Sequence, residues 1–164
     1  MSLNPIFDII IRLTLAVLVG GLIGLNRELR RKAAGLRTHS LVALGAAVVT
    51  ALATQGLDFA GVQHVDAMSR AIQGIITGIG FLGAGVIMRS ERGKTVHGLT
   101  TAASIWLAAC LGAASGAGAW EITSCAFVLV MLILIFGGPL ERWVVKTFRK
   151  PSAVEDEDQD NIAG

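Results

Sequence analysis

A chain of 164 residues that is 53% hydrophobic and only 16% charged differs from soluble domains, in which about 25% of residues are charged. One soluble core of this size cannot hide so much apolar side chain, so a mean hydropathy of +0.66 excludes a water-soluble globular domain and points to a bilayer. The formal charge of +2 carries information only through where the charges lie.

Five apolar blocks are long enough to cross a bilayer, where about 20 helical residues are needed: roughly 5–25, 40–57, 72–88, 98–118 and 119–137. The first contains Asp8 and Arg12. A central arginine costs about 2.5–3.5 kcal/mol, which the block's 13 Leu, Ile, Val and Phe residues offset at about 0.3–0.6 kcal/mol each, so insertion wins. Asp8 and Arg12 are four apart with the acid first, the better order for pairing on one helical face. No Lys or Arg precedes this block and a basic cluster follows it, the pattern of a retained anchor rather than a cleaved signal.

The third block holds "GIGFLG" (78–83), a match to the glycine fingerprint of dinucleotide-binding folds. That fingerprint requires a preceding strand and a βαβ unit, and neither fits an apolar run continuing on both sides. Gly74 and Gly78 form a small-xxx-small step, so Gly74, Gly78, Gly80, Gly83 and Gly85 are expected to serve close helix packing. Asp66 and Arg70, again four apart, stand at the entry to this block. The fourth and fifth blocks are one apolar stretch, too long for a single crossing. "GAASGAGAW" (112–120) and Glu121 divide it, predicting a tight turn.

The connections then set orientation. Arg27, Arg30, Arg31, Lys32 and Arg37 follow the first block; Arg89, Arg92 and Lys94 follow the third; Arg142, Lys146, Arg149 and Lys150 follow the fifth. These are 12 of the 14 Lys and Arg residues, all on one side of an alternating five-span thread, with Arg12 and Arg70 left for the other. The positive-inside rule then predicts an outside amino terminus and a cytoplasmic carboxyl terminus. Domain boundaries follow: a membrane domain over 1–150, and an acidic tail over 151–164 whose "EDEDQD" is expected to be solvated and disordered.

Site chemistry is sparse. Cys110 and Cys125 lack metal or redox spacing, and His39, His64 and His97 form no zinc pattern and are expected to be interfacial polar residues. The hydroxyls of "GLTTAASIW" (98–106) suit hydrogen bonds between helices. The basic first loop gains about 1 kcal/mol per residue against anionic lipid, so it needs no nucleic-acid partner. "GLIG" (21–24) followed by His39-Ser40-Leu41 parallels "GFLG" (80–83) followed by His97-Gly98-Leu99; this is either a parallel repeat or a chance likeness of two glycine-rich segments.

The pieces "GGLIGLNREL", "AAGLRTHSLVALGAA", "DAMSRAIQGIITGIGFLGAG" and "GLTTAASIWLAACLG", in that order over roughly residues 10–118, resemble the membrane domain of the MgtC/SapB family. The resemblance implies a bacterial inner-membrane protein associated with growth at low magnesium and with survival inside macrophages. Family motif positions fall on Arg27, Glu28, Gly35, Leu36, Arg37, Thr38, Gly78, Gly80, Gly83, Gly85, Gly98, Leu99, Thr100, Thr101 and Trp106, and no catalytic assignment transfers to them. Asn26 stands where the family usually has Glu, and about 27 residues follow the fifth block, too few for the cytosolic ACT-like domain of some members.

The expectation is an all-α polytopic bundle of about five transmembrane helices, not an enzyme and without a cofactor. Its expected role is that of a regulator or stress-adaptation factor linked to magnesium homeostasis. The alternatives are a small oligomeric magnesium or ion transporter, or a lipid-binding scaffold acting through Arg30, Arg31 and Lys32. The candidate functional residues are Arg27, Glu28, Arg37, Thr38, Asp66, Arg70, Thr100 and Thr101, with no metal ligands assigned. The expected partners are the lipid bilayer and either further copies of the chain or another membrane protein.

Overall fold

The computed structural model describes residues 4–54, 64–89 and 96–148; Asp58, Glu91, Arg92, Lys94, Arg149, Lys150 and the acidic tail lie outside them. Helix α1 (Pro5–Leu29) begins where the Asn4 side chain accepts the Ile6 N–H at 3.1 Å, with Pro5 in the first turn and Asp8 against the positive helix end. Its 25 residues reach about 37 Å, enough for a hydrocarbon core of about 30 Å. The chain leaves α1 through Arg31 at φ 52°, with the Lys32 N–H donating to the Arg27 carbonyl at 3.0 Å. Then follow α2 (Leu36–Thr54), α3 (His64–Val86) and α4 (Leu99–Gly116). Between α3 and α4 a short antiparallel ladder joins β1 (Met88–Arg89) to β2 (Val96–His97), with Met88 opposite His97. This ladder closes a connection that the sequence offered only as a basic loop. Gly98, at φ 91°, turns the chain into α4.

The predicted break between the last two blocks is present: α4 stops at Gly116 and α5 (Trp120–Phe148) starts after a turn with Gly118 at φ 77°. Among the described residues α1, α2, α4 and α5 are long and apolar enough to span a membrane. α3 is 23 residues long but is not one of these four, because Asp66, Arg70 and Gln73 interrupt its first half. The described residues up to Met131 form one compact unit and those from Leu132 onward a second. In the second, the α5 backbone is buttressed by Arg142 Nε donating to the Gly138 carbonyl at 3.3 Å and by the Thr147 hydroxyl donating to the Trp143 carbonyl at 2.9 Å.

Within the first unit α1, α2 and α4 pack against one another, and α3 lies against α4 and, less extensively, α2. Alanine is the commonest buried residue: Ala16, Ala43, Ala46, Ala47, Ala51, Ala108 and Ala109 are buried around a few larger side chains such as Ile23 and Ile105, whereas Ile6, Ile10, Leu18, Leu22 and Phe81 face outward. Small residues inside and large apolar ones outside is the arrangement a lipid solvent permits, since burying Leu against Leu gains nothing over burying it in lipid.

Two glycine seams make the interior this tight. A Cβ on Gly20 would fall 2.6 Å from the His39 carbonyl oxygen, and one on Gly24 would fall 2.6 Å from that of Gly35. On the other flank of α2, a Cβ on Gly112 or Gly116 would strike the Ala43 or Ala47 carbonyl. The packing role assigned to the α3 glycines is different within this chain. Among the described residues Gly74, Gly78, Gly80 and Gly85 have nothing within 4 Å of a would-be Cβ, and Gly83 meets Ala102 Cβ at 3.7 Å. The close approach is thus made by Gly20, Gly24, Gly112 and Gly116.

Substituting alanine at Gly112 or Gly116 is expected to destabilise the protein by more than about 2 kcal/mol, because backbone must shift. Alanine at Gly74 or Gly80 is expected to be neutral or to stabilise by up to about 1 kcal/mol through helix propensity. Unfolding of the four variants in detergent micelles checks the contrast.

Candidate functional site

The seams bring the loop-side ends of α1, α2 and α4 together around a set of polar side chains. Arg27, in the last turn of α1, is only 4% exposed and donates through one terminal NH2 to Thr101 Oγ1 at 3.1 Å. On α2, His39 is 0% exposed, with Nδ1 2.9 Å from the Gly35 carbonyl and Nε2 3.0 Å from Ser104 Oγ. A carbonyl can only accept, so Nδ1 carries a hydrogen. Nε2 of the neutral ring then accepts from the Ser104 hydroxyl. That hydroxyl also lies 2.8 Å from the Thr101 carbonyl, so one proton has two acceptors.

Burial decides what this network can do. His39 beside Ser104 has the composition of a base and a nucleophile, a proximity the sequence did not disclose. Both are sealed within the bundle, with Ser104 1% exposed, and a substrate carbonyl cannot reach Oγ. The bond is a clamp between α2 and α4. Thr50 repeats the device farther along, donating to the Ala113 carbonyl at 2.9 Å. Hydroxyl bonds of this kind between membrane helices are worth about 0.6 kcal/mol on average and up to about 2.

Two further charged groups close the ends of the bundle. Glu28 Oε2 accepts the Leu36 N–H at 2.9 Å, supplying the carboxylate that the amino end of α2 favours. At the opposite end of α1, Arg12 Nε lies 2.7 Å from Asp8 Oδ2, and a terminal nitrogen donates to the Gly116 carbonyl at 3.1 Å. The arginine thereby satisfies a carbonyl at the carboxyl end of α4. The Gly118 turn admits it, since a Cβ there would fall 2.9 Å from the guanidinium carbon.

The structure therefore divides the sequence-predicted residues. Arg27 and Thr101 meet, and Glu28 caps α2 beside them. Arg37 and Thr38 on the first turn of α2, and Thr100 on the first turn of α4, are exposed. Asp66 and Arg70 are both exposed, and among the described residues they do not form the ion pair their spacing allows; the ion pair present is that of Asp8 with Arg12. Ser104, one of the hydroxyls of 98–106 expected to bond between helices, does so with His39, which is buried in the bundle rather than interfacial. Three buried atoms lack a hydrogen-bond partner among the described residues: Asn26 Oδ1, Arg27 Nε and Arg12 Nε, the last of which contacts Asp8 as an ion pair. The described residues also contain no group of three or more His, Cys, Asp or Glu placed to hold a metal ion.

Comparison with known proteins places these residues in context. The model of the MgtC family matches residues 13–143. The chain is 39% identical to the protein SrpB of Synechococcus elongatus, over 91% of each chain. It is 40% identical to YhiD of Escherichia coli K12, provisionally named a magnesium transporter, over 77% of this chain and 59% of YhiD. It is 41% identical to the protein MgtC of Salmonella typhimurium LT2, over 76% of this chain and 50% of that protein. The chain thus spans nearly all of SrpB but little more than half of the other two. No solved structure matches it.

The His39–Ser104 clamp makes a specific prediction. Ser104→Ala is expected to cost about 1–3 kcal/mol by leaving buried His39 Nε2 without its partner, and His39→Ala about 2–5 kcal/mol through the cavity it leaves, since the Ser104 hydroxyl keeps the Thr101 carbonyl. The double variant is expected to cost less than the sum, because the two share one bond. A double-mutant cycle on thermal unfolding in micelles measures the coupling.

Proposed function

The chain belongs to the MgtC family, and from that premise we propose that this multi-pass membrane protein acts in magnesium homeostasis as a non-enzymatic regulator or stress-adaptation factor of the bacterial inner membrane. The name given to YhiD supplies the link to magnesium. The observation that favours a regulator is how the charges within the bundle are engaged. Arg12 is held by Asp8 and Gly116, Glu28 by the amino end of α2, and Arg27 by Thr101. Ion pathways need charged or carbonyl groups turned toward a water-filled path; here Arg12 and Glu28 brace helix ends and Arg27 is buried against a neutral hydroxyl.

In this proposal all five helices cross the membrane, with the amino terminus outside. The placement of 12 of 14 Lys and Arg residues supports that thread. α3 is long enough to take part, its 23 residues reaching about 34 Å. A regulator of this kind works through a partner, either further copies of the chain or another membrane protein. The second reading, a small magnesium or ion transporter acting as an oligomer, is favoured by the name given to YhiD.

Two measurements separate these readings. Purified protein in liposomes is expected to give no magnesium flux above protein-free vesicles; a flux that Glu28→Gln changes would establish the transporter instead. In cells lacking their own copy, the native chain is expected to restore growth at low magnesium. Arg27→Met is expected to fold at native level, because a buried cation without a carboxylate is replaced by an apolar side chain of similar length. It is also expected to lose the growth rescue; rescue at native strength would remove Arg27 from the working site.

A further inference from the structure

Beside the closed α1–α2–α4 core, α2 and α3 diverge and leave an open groove of about 710 Å³. Gly45 and Val49 line it from α2; Arg70, Gly74, Gly78 and Leu82 line it from α3. Among the described residues Gly45, Gly74 and Gly78 have nothing within 4 Å of a would-be Cβ, so the groove exists because side chains are missing on both walls. From Arg70 to Leu82 it runs about 18 Å along α3, close to one leaflet of a hydrocarbon core about 30 Å thick. Its walls are otherwise apolar, and Arg70 is the one charged residue on them.

Arg70 lies toward the end of the bundle opposite the basic α1–α2 connection, because Met68 and Ile72 on either side of it share a second cavity with Thr50 of α2 and Ala117 of the α4–α5 turn. It is exposed and has no carboxylate within ion-pair distance among the described residues. Arg70 is six residues into α3, about 9 Å from the helix end. For a helix centred on the bilayer its Cα is then about 7 Å below the hydrocarbon boundary, within snorkelling reach of the phosphate layer. A guanidinium there is suited to bidentate contact with a phosphate. Asp66, one turn nearer the helix end, is the nearby opposing charge, and it stands on the water side of Arg70.

We propose that this groove binds one anionic glycerophospholipid, its acyl chain lying between α2 and α3 and its phosphate on Arg70. The site is distinct from the basic first loop, which faces the other leaflet. It rests on α3 crossing the bilayer, as proposed above, and goes beyond the regulatory reading in naming a ligand.

Native mass spectrometry of the full chain released from micelles tests it, titrating phosphatidylglycerol against phosphatidylcholine. The expected result is one retained phosphatidylglycerol, held about tenfold more strongly than phosphatidylcholine and not displaced by excess inorganic phosphate. Arg70→Gln is expected to abolish the preference, whereas the triple variant Arg30→Gln, Arg31→Gln, Lys32→Gln keeps it. Gly45→Leu and Gly78→Leu are expected to fold and to expel the lipid by filling the groove. A preference that survives Arg70→Gln, or that only the triple variant removes, overturns the proposal. A native dimer that Gly45→Leu or Gly78→Leu converts to monomer overturns it too, by assigning the groove to a second copy. Separately, Gly78→Cys in membrane vesicles reports on α3 itself: labelling by a membrane-impermeant maleimide would show that α3 is not embedded and would remove the premise along with the site.

Discussion

α2 lies between two helices whose facing positions carry no side chain. Gly20 and Gly24 of α1 meet it on one flank and Gly112 and Gly116 of α4 on the other, at separations that leave no room for a Cβ. In water such contacts would be a poor source of stability, because little apolar area is removed from solvent. In lipid the apolar term nearly vanishes between helices, and close backbone approach with interhelical hydrogen bonds takes its place. The seams place the α2 and α4 backbones near enough for the short hydroxyls of Thr50 and Ser104 to bridge them. Longer residues in the seams would separate the helices and leave those groups without partners in a medium that offers no water.

The same proximity explains how charge is tolerated. Arg12 crosses from α1 to the end of α4, where a helix presents carbonyls and partial negative charge, while Asp8 balances it from one turn away. Glu28 answers the opposite need at the start of α2. Arg27 stands apart. It is as buried as the core alanines, its one hydrogen bond among the described residues goes to a neutral hydroxyl, and its Nε has no partner there. A group held at such cost without evident structural gain is where selection for something other than stability is expected, and this separates Arg27 from the bracing residues around it.

How much of this was legible in the sequence follows from what each signal measures. Insertion energetics and turn chemistry are local, so the first span and the break before Trp120 were readable from their own residues. A small-xxx-small step reports only that a helix can be approached. The step at Gly112 and Gly116 has a neighbour, whereas that at Gly74 and Gly78 faces an open groove, and no residue within either segment reveals which. Acid-first spacing is similarly permissive. Asp8 and Arg12 pair where the Gly116 carbonyl also holds the arginine, while Asp66 and Arg70 have no such third group among the described residues and form no ion pair there. His39 was misplaced because its position beside a basic loop was weighed alone. Its phase was the better guide, since His39, Ala43, Ala46, Ala47 and Thr50 recur at helical spacing along the single buried face of α2.

α3 differs from its neighbours in all these respects at once. It lacks a seam, its glycines are open, its one arginine is unpaired among the described residues, and its first half falls short of the apolarity of the other long helices. Its hold on the core runs through α4 more than through α2, and Ile79 is its one residue in the buried core. An element with few buried apolar contacts opens at lower free energy than the core it leans on. The molecule therefore combines three helices locked by backbone contact with one held by fewer buried residues. That asymmetry suits the regulatory role proposed above, because a ligand or partner shifts a conformational equilibrium only where two arrangements lie close in energy.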